Sequence, residues 1–301
     1  MAIRLLVNKL NIIAITVVGS NCSQNPKIIK KKIEYDLIDV LKTKNIEVYA
    51  GADRPYIDYQ KELKDEDIFP SYNYKPTDYS MIEKIVSEEV DIQKRLSNIA
   101  AVKITELSKK YGDKLNVLSL GPLTNVSLAV LLDNTLRDKV TLYITGGSYN
   151  NLGNSGNAAE YNFRADPIAA KNVIFYYKKV NLIPLELEDQ IIEKIKWSSI
   201  HSTKWEFKDY LELMINLSQA SEQSRSRYSF LGLLAALIIL NPTIIKNSKV
   251  LPVEVDIIGR FTRGALIIEK YEHLKSGKLS DIEIFEEIDL ESFKNELNNY
   301  I

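Results

Sequence analysis

Val140-Thr141-Leu142-Tyr143-Ile144-Thr145-Gly146-Gly147 opens the stretch that decides the fold, and Asn154-Ser155-Gly156-Asn157-Ala158-Ala159-Glu160-Tyr161-Asn162-Phe163-Arg164-Ala165-Asp166-Pro167 completes it. The first six residues are short, mostly apolar and rich in β-branched side chains, which predicts a buried strand. Two glycines end it. Asp166 then supplies an N-cap and Pro167 a first helical position, so a helix starts there. Strand, Gly/Asn-rich loop and helix in that order form the repeating unit of a parallel sheet.

The same alternation runs outward in both directions. Toward the N-terminus, Met1 to Lys9 has helical spacing, and Ile12 to Val18 is a β-branched strand candidate. A secretory or lipoprotein signal shares that outline, but Asn21 before Cys22 is not a small cleavage-site residue. Pro26 to Lys44 places Ile28, Ile29, Ile33, Leu37 and Leu41 on one helical face. Ile46 to Ala50 reads as a strand ending at Gly51, and Leu115 to Leu120 as one broken by Gly121-Pro122. A helix begins near Leu123. A capping box at Ser80 to Glu83 starts a long helix reaching about Tyr111. Toward the C-terminus, Asn181 to Leu187 reads as a strand, Phe230 to Leu240 as a buried helix, and Val253 to Ile258 and Ala265 to Ile268 as the last two strands. Non-alternating strands interleaved with helices imply an α/β fold, with a mostly parallel, Rossmann-like sheet covered by helices on both faces. No linker or repeat interrupts it, so residues 1–301 are expected to form one domain.

Bulk properties narrow the function. The chain has 301 residues, 45% of them hydrophobic, and a formal charge of −1. Without a basic excess it does not read as a nucleic-acid binder. Its longest apolar run is shorter than the roughly 20 residues that cross a bilayer, so no membrane partner is expected. With one cysteine there is no internal disulfide, which suits a reducing compartment and a cytoplasmic location. Two histidines argue against a histidine-built zinc site.

In open parallel sheets, ligands bind beyond the carboxyl ends of the strands. The informative positions are therefore Gly19–Asn21, Gly51–Pro55, Gly121–Asn125 and Gly146–Asn162. Glu160 and Asn162, two apart in an extended segment, would face one way. A carboxylate beside carboxamides suits a vicinal diol, because the carboxylate accepts from two hydroxyls while amides both donate and accept. By itself such a segment reads first as an exposed polar loop.

The ordered motifs of the chain resemble those of the nucleoside hydrolase family, the inosine-uridine preferring nucleoside N-ribohydrolases. Asn154 to Asn162 followed by Asp166-Pro167 is similar to that family's Asn-x-x-x-Ala-Ala-Glu-Phe-Asn segment. Val18-Gly19-Ser20-Asn21, Val48-Tyr49-Ala50-Gly51-Ala52, Gly121-Pro122-Leu123-Thr124-Asn125 and the hairpin from Val253 to Gly264 resemble four further family segments. The resemblance implies the nucleoside hydrolase fold and hydrolysis of N-glycosidic bonds of purine and pyrimidine ribonucleosides. It implies that Asn154, Glu160, Asn162 and Asn21 hold the ribose. Thr124 would lend a backbone carbonyl to a metal, which is Ca²⁺ in the family. Arg227 and Tyr228 would lie on the leaving-group side. A homo-oligomer, dimer or tetramer, is the family expectation.

The family's N-terminal Asp-x-Asp-x-x-x-Asp-Asp strand has no counterpart, since Met1-Ala2-Ile3-Arg4 resembles the helix that follows it. The region of the family's late aspartate, Tyr228 to Pro242, contains neither Asp nor His; the matching position is Gly232, or Ser229 with a short gap. Residues 65–75 carry no His. Calcium takes six to eight oxygen ligands, so its binding by this chain is in question. A translation start placed too late explains the missing strand alone. A repurposed paralogue explains all three differences, and would be a non-catalytic nucleoside or ribose binder, or a subunit of a mixed oligomer. A strand missing from mid-sheet should leave edges unpaired or force its neighbours together.

Overall fold

The structure, a computed structural model, describes residues 2–19, 25–53, 55–56, 99–150, 153–194, 231–259, 261–269 and 280–300. From the N-terminus come helix α1 (Ala2–Val7), strand β1 (Ala14–Val17), helices α2 (Pro26–Asp36) and α3 (Ile38–Lys44), and strand β2 (Glu47–Ala50). The expected single helix from Pro26 to Lys44 is broken at Leu37, which leaves helical geometry with its N–H bonded back to Ile33. Helix α4 (Ile99–Tyr111) leads into β3 (Asn116–Ser119), followed by α5 (Thr124–Leu132) and α6 (Leu136–Lys139). Then come β4 (Thr141–Thr145), α7 (Tyr161–Ala165), α8 (Pro167–Tyr176), β5 (Val180–Ile183) and α9 (Leu185–Lys194). The described chain closes with α10 (Leu231–Leu240), β6 (Ile245–Val255), β7 (Leu266–Ile268), β8 (Ser280–Ile288) and α11 (Leu290–Tyr300).

Three features correct the sequence reading, the first being that β6 runs from Ile245 to Val255 where a strand from Val253 to Ile258 was expected. The strand after Asn181 stops at Ile183, because Pro184 cannot donate to a ladder, and Leu185 to Leu187 belong to α9. The pattern does not end with β7. Strand β8 lies mid-sheet between β5 and β6, and α11 follows it. Its apolar positions Ile282, Ile284, Phe285 and Ile288 are buried.

Two sheets form among the described residues. One is the parallel pair β1–β2; the other has the order β3-β4-β5-β8-β6-β7. The β3-β4-β5-β8 run is parallel, and β6 is antiparallel to both β8 and β7. The sheet is thus mostly parallel and flanked by helices, as expected. One face packs under α1, α9, α10 and α11. The other packs under α4, α5 and α8. Helix α10 buries Leu231, Leu233, Leu234, Ala235, Ala236, Leu237 and Ile238. An apolar side chain of that size contributes roughly 1.5–3 kcal/mol when fully buried, which explains why so uniform a helix lies inside. A third cluster joins β1 and β2 to α3, through Val17, Leu41 and Val48.

No ladder joins β1 to β3 among the described residues. Among the described residues β3 is the edge of its sheet, and none of its four residues is fully buried. The carboxyl ends of β1 and β3 nevertheless lie close, since a Cβ on Gly121 would stand 3.7 Å from the Val18 side chain.

Candidate functional site

Thr145 ends β4 and the chain turns through Gly146 and Gly147, at φ +127° and +78°. L side chains rarely adopt such angles, and a Cβ on Gly146 would collide with a carboxylate oxygen of Glu160 and stand 3.3 Å from the Cβ of Asn162. Both side chains therefore lie over the same glycine. Their meeting is not the one predicted from an extended segment. Glu160 is extended, but Asn162 is the second residue of α7. The two converge because Glu160 caps that helix: its Oε2 accepts from the amides of Asn162 at 2.9 Å and Phe163 at 3.3 Å. The same oxygen accepts from Gly147 at 3.0 Å. Asn154 reaches the amide between them, accepting from Tyr161 at 2.8 Å. Asn162 donates from Nδ2 to the Thr145 carbonyl at 3.0 Å. Asn154, Glu160 and Asn162 are thus gathered at one helix N-terminus, beyond the carboxyl end of β4.

Glu160 is 3% exposed. Burial pushes its carboxyl up to about 7, against the pull of the amides of Asn162, Gly147 and Phe163. A second buried carboxylate, Asp166, caps α8 by accepting from Ala169 at 3.1 Å. It also accepts from the Thr124 hydroxyl at 2.7 Å and the Tyr56 amide at 3.2 Å. Burial raises Asp166 as well, opposed by Thr124 and by the Ala169 and Tyr56 amides. It fastens the segments that follow β2 and β3 to the start of α8. Beside Thr124, Asn125 donates to the Val17 carbonyl at 2.9 Å and accepts from the Ala52 amide at 2.9 Å.

Thr124 lies where β3 passes into α5, at the carboxyl edge of the sheet. Among the described residues no three His, Cys, Asp or Glu side chains gather into a metal-binding group. At Gly232 a Cβ would meet only the side chains of Leu120, at 3.7 Å, and Ala2, at 3.9 Å. Among the described residues, one carbonyl and one buried carboxylate already engaged by Thr124 do not amount to the six to eight oxygens that calcium takes. Asn21, Arg227, Tyr228, Ser229 and the stretch 65–75 lie outside the described residues.

Residues 1–295 match the family described as inosine-uridine preferring nucleoside hydrolase. The chain belongs to this family. Among relatives, a protein of Dictyostelium discoideum named "Probable ribonucleoside hydrolase" is 27% identical over 217 residues, 66% of this chain and 62% of that protein. Uridine nucleosidase 1 of Arabidopsis thaliana is 33% identical over 100 residues, 33% of this chain and 30% of that one. The chain thus spans less than two-thirds of the length of these relatives. Among solved structures, a plant nucleoside hydrolase superposes with a TM-score of 0.72 at 18% identity, over 99% of this chain and 93% of the other. An inosine-guanosine nucleoside hydrolase gives 0.69 at 22% identity, over 100% and 95%. At those identities the likeness establishes the nucleoside hydrolase fold. No helix among the described residues is long and apolar enough to cross a membrane.

The structure adds site residues that the sequence reading left without a role. Asn125 and Tyr56 are two. Glu186 is a third: its Oε1 accepts from the amides of Tyr149 at 2.7 Å and Asn150 at 2.8 Å, and from the Ser148 hydroxyl at 3.2 Å. Its signal in the sequence was an acidic residue two positions past Pro184, where a strand has to stop.

Proposed function

We propose that the chain is a nucleoside N-ribohydrolase-type protein whose ribose site is built by Asn154, Glu160 and Asn162, with Asn21 as a further ribose contact. The observation that carries this is the convergence of the buried Glu160 carboxylate and Asn162 over Gly146, with Asn154 holding the Tyr161 amide between them. The three amide bonds to Glu160 meet at Oε2, so Oε1 is the oxygen that receives a ribose hydroxyl. Asn162 donates to Thr145 through Nδ2, and its Oδ1 accepts a second hydroxyl. A carboxylate with a carboxyl pushed to about 7 accepts from a diol when ionised and donates to it when protonated.

In the hydrolytic reaction, water adds to the anomeric carbon while the bond to the base breaks, and the base leaves with a proton. Held hydroxyls keep the sugar in place as positive charge develops on the ring. By the family resemblance Arg227 and Tyr228 would serve the leaving group, and Thr124 would lend its carbonyl to a metal if one binds. The donor set among the described residues favours a second reading, a ribonucleoside binder that does not hydrolyse. The protein acts as one domain over residues 1–301, in the cytoplasm, as a homo-oligomer.

Inosine and uridine hydrolysis with and without Ca²⁺, run beside calorimetric titration of the same nucleosides, separates the readings. Base release that depends on Glu160 supports the hydrolase. Binding without release supports the binder. Neither binding nor release by the wild-type protein overturns both.

A further inference from the structure

The five residues after β4, Gly146 to Asn150, are tied down at six backbone groups. Gly146 donates to Ile183 at 3.0 Å, and the Gly147 carbonyl accepts from Leu185 at 3.0 Å. The Ser148 carbonyl accepts from Leu266 at 3.2 Å. The Gly147 amide goes to Glu160, while the amides of Tyr149 and Asn150 go to Glu186. Two buried carboxylates thus hold one short segment: Glu160, 3% exposed, at its start, and Glu186, 8% exposed, at its end. Glu186 sits in the first turn of α9, directly after β5, so its place is set by the sheet and not by the loop. Three donors converge on its single oxygen Oε1.

We propose that Glu186 is a positioning residue for the ribose site: its carboxylate clamps Ser148, Tyr149 and Asn150 to the head of α9 and so holds the Gly146–Gly147 platform against which Glu160 rests. This rests on the ribose reading of Glu160. Without the clamp Gly146 stays tied to Ile183, Gly147 to Leu185 and Ser148 to Leu266, but the hold on the Tyr149 and Asn150 amides is lost. The Gly147 amide then wanders relative to the Glu160 carboxylate, and the distance between that carboxylate and a bound diol is no longer fixed. Small misplacements of a binding group are costly, up to about 100-fold for 1 Å at a reacting centre.

The test compares wild type with Glu186→Ala, Glu186→Gln and Glu186→Asp, by calorimetric titration with inosine and by amide hydrogen exchange. Glu186→Ala should weaken inosine binding by roughly tenfold or more and speed exchange at Tyr149 and Asn150. Formate added to Glu186→Ala, which fills the vacated acceptor position, should recover both. Glu186→Gln, which keeps one carbonyl oxygen, should stay near wild type. Should Glu186→Ala not fold, Glu186→Asp carries the test, with a smaller loss of the same kind. Unchanged exchange at Tyr149 and Asn150 in a folded variant overturns the clamp. So does faster exchange with unchanged inosine affinity, or affinity that formate fails to recover. If wild type binds no ribonucleoside, the ribose reading fails by itself, and exchange at the two amides still decides the clamp.

Discussion

The Asn125 carboxamide donates to the Val17 carbonyl and accepts from the Ala52 amide, both at 2.9 Å, and so ties the β1–β2 pair to the head of α5, where no ladder joins β1 to β3 among the described residues. Asn125 is buried. Neighbouring Gly51 has no room for a side chain, since a Cβ there would run into the carboxamide. One residue thus does across two sheets what backbone pairing does within each.

Asn125→Ala should therefore be among the more damaging substitutions at this edge. It removes two hydrogen bonds and leaves the half-buried Ala52 amide without its acceptor, while the Val17 carbonyl keeps the Gly51 amide at 2.9 Å. Leaving one such group unpaired costs about 1–3 kcal/mol, so a loss of about that size is expected. Urea unfolding at constant slope measures it; a loss below the error of the extrapolation shows that the two sheets are joined by other means.

Gly146→Ala tests the platform under Glu160. The φ of +127° strains any L residue, which costs on the order of 1–3 kcal/mol, and the new methyl meets the Glu160 carboxylate. Stability and ribonucleoside affinity should fall together. A variant of wild-type affinity would mean that Glu160 moves freely above Gly146 and is not held there.

Much of this was readable before any coordinates. Asp166-Pro167 announced a helix start by chemistry confined to two residues, and the cap is present. Gly146-Gly147 announced a strand end, and both glycines take left-handed angles. What escaped depended on partners far away in sequence. Strand β8 alternates apolar and charged residues, yet its central place comes from β5 and β6 closing around it. Glu186 was hidden because the run from Asn181 reads as apolar strand straight through Pro184. The role of Asn125 depends on Val17 and Ala52, 108 and 73 residues away. The pairing of Glu160 with Asn162 was expected for the wrong local reason, extended backbone, when a helix cap brings them together.

Glu160 gives the protein a specific pH signature. Its carboxyl is raised from 4.5 to about 7 by burial, so the folded state holds a proton that the unfolded state has already lost. Its contribution is fully present below pH 4.5 and is lost as pH rises through about 7. The shift corresponds to about 3 kcal/mol across that window. Glu160→Gln keeps an acceptor for the three amides but cannot ionise. Its stability relative to wild type should therefore climb between pH 4.5 and 7 and level off above. A difference that stays flat with pH would mean that the buried carboxyl titrates normally.

Asp166→Ala should unfasten three segments at once. The variant loses the α8 cap, the Thr124 hydroxyl bond and the Tyr56 amide bond. A lost cap costs about 1 kcal/mol, and the stranded Tyr56 amide roughly 1–3 kcal/mol more. Thermal unfolding should show the loss. Thr124→Val, which removes only the hydroxyl, should show a smaller one, and equal effects would place the whole contribution of Asp166 in its bond to Thr124.

The ribose reading makes a sharper demand than binding alone. If Glu160 and Asn162 receive the hydroxyls of a vicinal diol, a ligand lacking one of them leaves a buried acceptor unpaired. Sites of that kind reject the analogue strongly, by as much as about 10⁴–10⁵ in specificity at the extreme. Inosine should therefore bind far more tightly than 2′-deoxyinosine, and Glu160→Ala should lose most of its affinity for inosine while losing little for the deoxy compound. The two affinities should converge in that variant. Titration of both ligands against both proteins decides it: a wild type that binds the two nucleosides equally well has no diol grip, whatever the arrangement of side chains over Gly146.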